Sequence, residues 1–185
     1  MTQTTQEYTT QEDRFAAYLV DLAGKDRGAL AALRRGLGRE PGEVAEVHPY
    51  VVPWIPKGTR RDVEDTYYLV ASLFASHPVH WHRTEEGGRH TFGASLERLA
   101  RKSESAGVEP RLIALLNSPR EDLPNRLRQA VGLLKSQEIP VDWARLLKDL
   151  KHWDSDQRWV QRNWAADFWG GRIPEPSEDT DGGTE

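Results

Sequence analysis

Apolar residues recur along the chain at intervals of three and four far more often than at intervals of two. Phe15, Tyr18, Leu19 and Leu22 set the first stripe, Leu30 and Leu33 the second, and Val63, Tyr67, Val70 and Phe74 the third. Leu96 and Leu99 follow, then Leu112, Ile113, Leu115 and Leu116, then Leu127, Val131 and Leu134. The last and widest pattern is Trp143, Leu146, Leu147, Leu150 and Trp153, followed past Asp154-Ser155 by Val160, Trp164 and Phe168. An α-helix brings residues three and four apart onto one face, so each run predicts an amphipathic helix whose stripe needs a partner. No pair of segments alternates as half-buried strands would, and the predicted fold class is all-α.

Local signals mark where these helices begin and stop. Thr10 with Asp13 three residues on, Asp26, Asp142 and Ser155 stand where N-caps belong, since a short polar side chain there accepts from an unpaired backbone N–H. Ser118-Pro119-Arg120-Glu121 reads as another start, with Pro124 limiting it to a short turn before a helix from 125 to 136. Gly24, Gly36 and Gly170-Gly171 supply stops. Pro41, Pro49, Pro53 and Pro56 predict an extended connection over 41–56, relieved by one short helical turn at 43–47. Its apolar residues, Tyr50, Val51, Val52, Trp54 and Ile55, should lie against the helices. The stretch 77–89 predicts a polar loop, mobile at 85–88.

Composition narrows the class. At 185 residues the chain can make one ordinary domain or two small lobes. No apolar run approaches the length of a membrane span, and MTQTTQEYTTQED has neither the basic nor the apolar region of a signal peptide. The absence of cysteine rules out disulfide and thiolate chemistry and fits a cytoplasmic protein. Net charge is −4, but residues 1–13 carry three acids and no base, and residues 170–185 carry five acids and one base. Removing those ends leaves 24 Lys and Arg against 21 Asp and Glu, a mildly basic +3 over residues 14–169.

The basic residues admit two readings. Arg34-Arg35, near the end of the second helix, are either a solvated face that suits a helix C-terminus or a fork for phosphate. Lys57, Arg60 and Arg61 oppose the dipole at a helix start, which points to an external anion. Arg98, Arg101, Lys102, Arg126, Arg128 and Lys135 ride other predicted helices. His77, His80, His82 and His90 raise a metal-dependent hydrolase as an alternative, although their spacing in an irregular loop matches no helical ligand pair. The tryptophans at 143, 153 and 164 fall on apolar stripes, which favours core packing over base stacking. Asp149 and Asp167 fall on polar helix faces, where solvation accounts for them.

Three segments, ALRRGLGREPGE, SLERLARKS and VDWARLLKDLKHWDSDQRWVQRNWAADFW, occur in an order and spacing that resembles the small subunit of the type I-E CRISPR Cascade effector complex, the CasB family. The resemblance spans nearly the whole chain apart from its ends. It implies an all-helical, bilobed protein of two small bundles, with no catalytic centre and no cofactor. With the ends read from their acidic, apolar-poor composition, the expected division is a disordered N-terminus over 1–10, a lobe over 11–91 holding the Pro-rich connection, a bundle over 92–170 and a disordered acidic tail over 171–185; the tail and the histidine loop belong to no family pattern.

It also implies a place in a crRNA-guided antiviral complex, two copies of the subunit lying beside the backbone subunits and the large subunit. The implied ligands are crRNA and the target DNA strands of the R-loop, gripped non-specifically through basic helical surfaces, with no membrane involved. The family's first arginine pair maps onto Arg34-Arg35, and later basic positions map onto Arg98 and Arg128. A further one falls at Arg60 or Arg61. Beside this reading stands a second alternative, a free-standing helical nucleic-acid regulator, for which no helix-turn-helix spacing is evident.

Overall fold

The computed structural model describes residues 10–81, 90–103 and 107–171. The expected disordered ends therefore lie outside the described residues save Thr10 and Gly171, as does the loop tip at 85–88. Nine α-helices make up the described chain: α1 (Gln11–Lys25), α2 (Arg27–Arg35), α3 (His48–Val51), α4 (Arg61–Ser76), α5 (Phe92–Ser103), α6 (Val108–Leu116), α7 (Leu123–Ser136), α8 (Trp143–Lys151) and α9 (Trp159–Trp169). No strand is present among the described residues, only an isolated parallel bridge between His80 and Val141. The protein is all-α. None of these helices is long and apolar enough to cross a membrane.

Three of the expected caps form as the local sequence dictates. Thr10 and Asp13 make a reciprocal box, the Asp13 N–H donating to Thr10 Oγ1 at 3.3 Å and the Thr10 N–H to Asp13 Oδ2 at 3.0 Å. Asp26 ends α1 and starts α2: its N–H donates to Leu22 O while its carboxylate accepts from the Ala29 N–H at 2.9 Å. A single residue thus turns the chain between two antiparallel neighbours. Asp142 caps α8 through the Arg145 N–H at 2.9 Å.

Elsewhere tertiary contacts override local signals. The 41–56 connection is not extended: Ala45–Val47, His48–Val51 and Val52–Trp54 are consecutive helical turns. Pro49 and Pro53 stand in the first positions of their turns, where a missing N–H breaks no bond and a fixed φ assists. Val51 is buried as expected and Val47 is buried with it, whereas Val52 is half exposed. Ser155 does not cap α9. That place belongs to Arg158, at φ +49°, whose guanidinium donates to Leu116 O at the end of α6. Ser118 likewise starts no helix. Its Oγ donates back to Ala114 O, and Arg120–Asp122 forms a 3-10 turn leading into α7, which carries Pro124 in its first turn.

The buried residues form one cluster running from Phe15 to Phe168. α8 packs on α1 and α4, across the boundary expected at residue 91, while α5 runs along α9 and contacts α6 and α7. Gly93 permits the α5–α9 approach, because a Cβ there would collide with the Trp164 backbone carbonyl. Trp143, Trp153 and Trp164 are buried, and each indole N–H has an acceptor: Val79 O at 3.1 Å, Ser118 O at 3.0 Å and Asp149 Oδ2 at 2.7 Å. Burial of such rings contributes several kcal/mol each, on the order of 3–5 by truncation.

Asp149 is a correction to the polar-face reading, since it is completely buried. It accepts from the Trp164 indole and from Arg145 Nε at 2.7 Å, so one carboxylate ties α8 to α9. Burial pushes its pKa above the usual carboxylate value, against the pull of its Trp164 and Arg145 hydrogen bonds. Asp167 remains exposed and accepts from Thr91 Oγ1 at 2.6 Å.

Candidate nucleic-acid interface

The basic candidates can be sorted by what their charge already meets. Successive side chains on an α-helix diverge by about 100°, and Arg34 and Arg35 part accordingly. Arg34 Nε donates to Ala75 O in the last turn of α4 at 3.0 Å, while Arg35 faces Glu46 at 3.7 Å. The neighbours do not converge as one fork, although both remain exposed. Arg60 and Arg61, read as serving an external anion, meet acids of their own helix. Arg60 reaches Asp62 with contacts of 3.0 and 2.5 Å, and Arg61 reaches Asp65 at 3.3 Å. The Arg60 hydrogen bond holds Asp62 below the usual carboxylate range. Arg101 is similarly bound to Glu97, and Arg126 Nη2 lies 3.9 Å from Asp122.

The remaining candidates meet no carboxylate among the described residues. Arg98 lies over the Trp81 ring, 5.4 Å from its centroid, and His90 stacks on Trp81 at 3.8 Å. Lys102 donates to Gln137 O, just past the end of α7, in whose last turn Lys135 stands exposed. Lys57 is exposed in the turn before α4. Arg128 is exposed and bonds only to Asn125 Oδ1, at 3.3 Å. An exposed ion pair stabilises little and exchanges readily for another anion. Among the described residues Lys57, Arg98, Lys102, Arg128, Lys135 and Arg34 form no ion pair, and this is the unpaired group.

One cleft gathers part of this set. Residues Gly36 to Val44, the exposed side of α4 and the start of α7 enclose about 470 Å³. Arg128 looks into it from α7. Arg39 and Arg120, which the pattern of charges along the sequence did not single out, line it as well, engaged by Glu43 and Asp154 respectively. Both belong to segments with a visible cue, Arg39 to the Gly-rich stretch after α2 and Arg120 to the Ser-Pro-Arg-Glu turn. The acids on the α4 wall, Asp62 and Asp65, are those already engaged by Arg60 and Arg61. Arg98, Arg101 and Lys102 lie outside this cleft, on α5.

The described histidines of this stretch, His77, His80 and His90, sit in different surroundings. His77 is buried, its Nε2 2.7 Å from Ile139 O, so the first residue of the polar stretch is a core residue. His80 bridges to Val141 and His90 stacks on Trp81, whereas His82 lies outside the described residues. Among the described residues no three His, Cys, Asp or Glu side chains come together as metal ligands.

The chain is similar in sequence and fold to known proteins. The family model for CRISPR-associated protein Cse2 matches residues 29–169. A CRISPR-associated protein Cse2 of Thermus thermophilus is 39% identical over 168 residues, covering 88% of this chain and 92% of the relative. The crystal structure of CasB from M. ruber is 33% identical with a TM-score of 0.71, covering 88% and 94% of the two chains. A chain of a CRISPR RNA-guided surveillance complex superposes with a TM-score of 0.73 at 26% identity, over 85% of this chain and 91% of that one.

Proposed function

The chain belongs to the Cse2 family of CRISPR-associated proteins, and on that premise we propose that it is a non-catalytic subunit of a crRNA-guided surveillance complex of the Cascade type. Its task there is to hold nucleic-acid backbones and so stabilise the R-loop. Membership of a relative in a CRISPR RNA-guided surveillance complex supports the assembly. The partners are the backbone and large subunits, a second copy of this chain, crRNA and the two target strands. The work is done inside the cell, in the cytoplasm where guide and target meet.

The observation that carries the backbone role is the set of exposed cations that have no carboxylate partner among the described residues, spread over α2, α5 and α7. In a guided complex sequence is read by base pairing, so the protein needs contacts to phosphates and displaced strand rather than to base edges. Strand exchange is nearly balanced in free energy, and a few phosphate contacts bias it. Trp143, Trp153 and Trp164 are buried and offer no stacking surface, so the reading rests on electrostatics. Arginine suits it, because one planar guanidinium can grip two phosphate oxygens.

The test is salt-titrated binding of mixed-sequence DNA by the isolated chain. Replacing Arg34, Arg98 and Arg128 together by Ala should weaken binding for unrelated sequences alike and flatten the log–log salt slope by about 0.9 per lost phosphate contact. Replacing the paired Arg60 and Arg61 should change it less. A triple variant that is folded and keeps the wild-type slope would return these arginines to a solvated face.

A further inference from the structure

Arg128 is poorly held for a residue on which binding depends. Its one side-chain hydrogen bond is to Asn125, at 3.3 Å and exposed. A glycine lies beside it. Gly38 lies in the turn after α2 at φ +78°, and a Cβ built there would stand 2.5 Å from Arg128 Nη1 and 3.6 Å from Cζ. Nothing else lies within 4 Å of that point. The guanidinium thus fills the space that a side chain at 38 would take.

A positive φ by itself does not account for this arrangement. Gly42 and Gly58 have nearly the same φ, +81° and +78°, yet Gly42 would meet only His48 Cε1 at an ordinary 3.5 Å and Gly58 nothing. Asn tolerates this backbone region better than other residues with a side chain, so conformation alone would admit it at all three positions. Only at 38 would it also strike an arginine.

Resting on the backbone-binding reading above, we infer that Gly38 is a positioning residue for Arg128. By lacking a side chain it seats the guanidinium beside the chain that leaves α2, and so joins the Arg34 end of the basic surface to α7 across the cleft. The atom displaced by a Cβ is the far end of a long, flexible, exposed side chain. A substitution at 38 therefore moves Arg128 at little cost to the fold, and its effect appears in binding rather than in stability.

The experiment is salt-titrated binding of a mixed-sequence oligonucleotide by the full chain, with thermal melts alongside. The variants are Gly38→Asn, Gly42→Asn, Arg128→Ala and the double variant Gly38→Asn/Arg128→Ala. Gly38→Asn should lose roughly three- to tenfold in affinity, as Arg128→Ala does, with the salt slope flattened by about 0.9. The double variant should bind like Arg128→Ala alone, and Gly42→Asn like wild type with a melt close to that of Gly38→Asn. If Arg128→Ala weakens binding while Gly38→Asn does not, or if the two losses add, the positioning role is overturned and the backbone-binding reading stands. Wild-type binding by Arg128→Ala would overturn Arg128's part in that reading, and the inference with it.

Discussion

The α8–α9 region and the cleft between the 36–44 turn and α7 treat their polar groups in opposite ways. In the first, every indole N–H of the three buried tryptophans has an acceptor, and the fully buried Asp149 carboxylate has two donors. In the second, an exposed guanidinium keeps one long bond to an asparagine, and its neighbours Arg39 and Arg120 pair with acids at the protein surface. A buried group left unpaired costs the loss of its hydration, so each of these indole N–H groups and the Asp149 carboxylate is held where a partner meets it. An exposed cation has water as a partner and can wait for a phosphate. The difference separates the part of the molecule that maintains the fold from the part available to a ligand.

Breaking the first region should have the largest effect. Trp164→Ala removes a ring that contacts Phe92 and Trp153 at 5.2 Å and leaves Asp149 with one donor fewer. We expect a loss of roughly 3–5 kcal/mol in urea unfolding, or failure to fold. Gly93→Ala comes next: the new methyl would meet the Trp164 carbonyl, which is backbone and cannot swing away, and roughly 1–3 kcal/mol should be lost through separation of α5 and α9. A Gly93→Ala protein as stable as wild type would mean that this helix pair is looser than its geometry.

The buried carboxylate sharpens the comparison through pH. Asp149 titrates above its usual value of 3.8 because burial disfavours its charge. Between 3.8 and the raised folded value the native state holds a proton that the unfolded chain has released, so this group's contribution falls as pH rises through that window. Above it, the cost is fully present. Glu12 runs the other way. Burial, the largest single influence, would raise it, but the Lys151 hydrogen bond at 2.6 Å, a backbone hydrogen bond, the Lys151 charge and a Thr10 hydrogen bond together outweigh burial and lower it, so its contribution is lost as pH falls through its folded value. Melting temperatures of wild type and Asp149→Asn across acid to neutral pH isolate the first term. Their difference should change with pH with that sign, and parallel curves would remove Asp149 from the account. Smaller again is Thr10→Ala, which should cost about 1 kcal/mol by opening the α1 capping box.

What the sequence made legible follows the range of each interaction. The caps at Thr10, Asp26 and Asp142 act three residues away, and a reader of the chain sees both partners at once. The buried tryptophans were visible from helical spacing, which reports which face turns inward. The misses depend on distant partners: Arg34 bonds 41 residues away, Arg158 bonds 42 residues away, and Ser118 O accepts from Trp153 35 residues on. Asp149 looked solvated because nothing local announces that the indole of Trp164 comes back over it. The candidate cations were visible as charges, but their sorting into paired and unpaired was not. Nor was the meeting of Gly38 with Arg128, ninety positions apart in the chain.

The central claim is that the unpaired cations serve a guided complex by holding nucleic acid open. It is tested most directly by reconstituting the complex from crRNA, its partner subunits and either wild type or the Arg34→Ala/Arg98→Ala/Arg128→Ala chain. R-loop formation on a matched target is then followed by strand-specific footprinting. Each exposed substitution usually changes stability by about 0.5 kcal/mol or less, so the variant should still assemble. We predict slower formation and faster collapse of the R-loop, more so at high salt, with the tolerance for guide–target mismatches unchanged. An R-loop formed by the variant complex at the wild-type rate and with the wild-type lifetime, at every salt concentration, would contradict the claim.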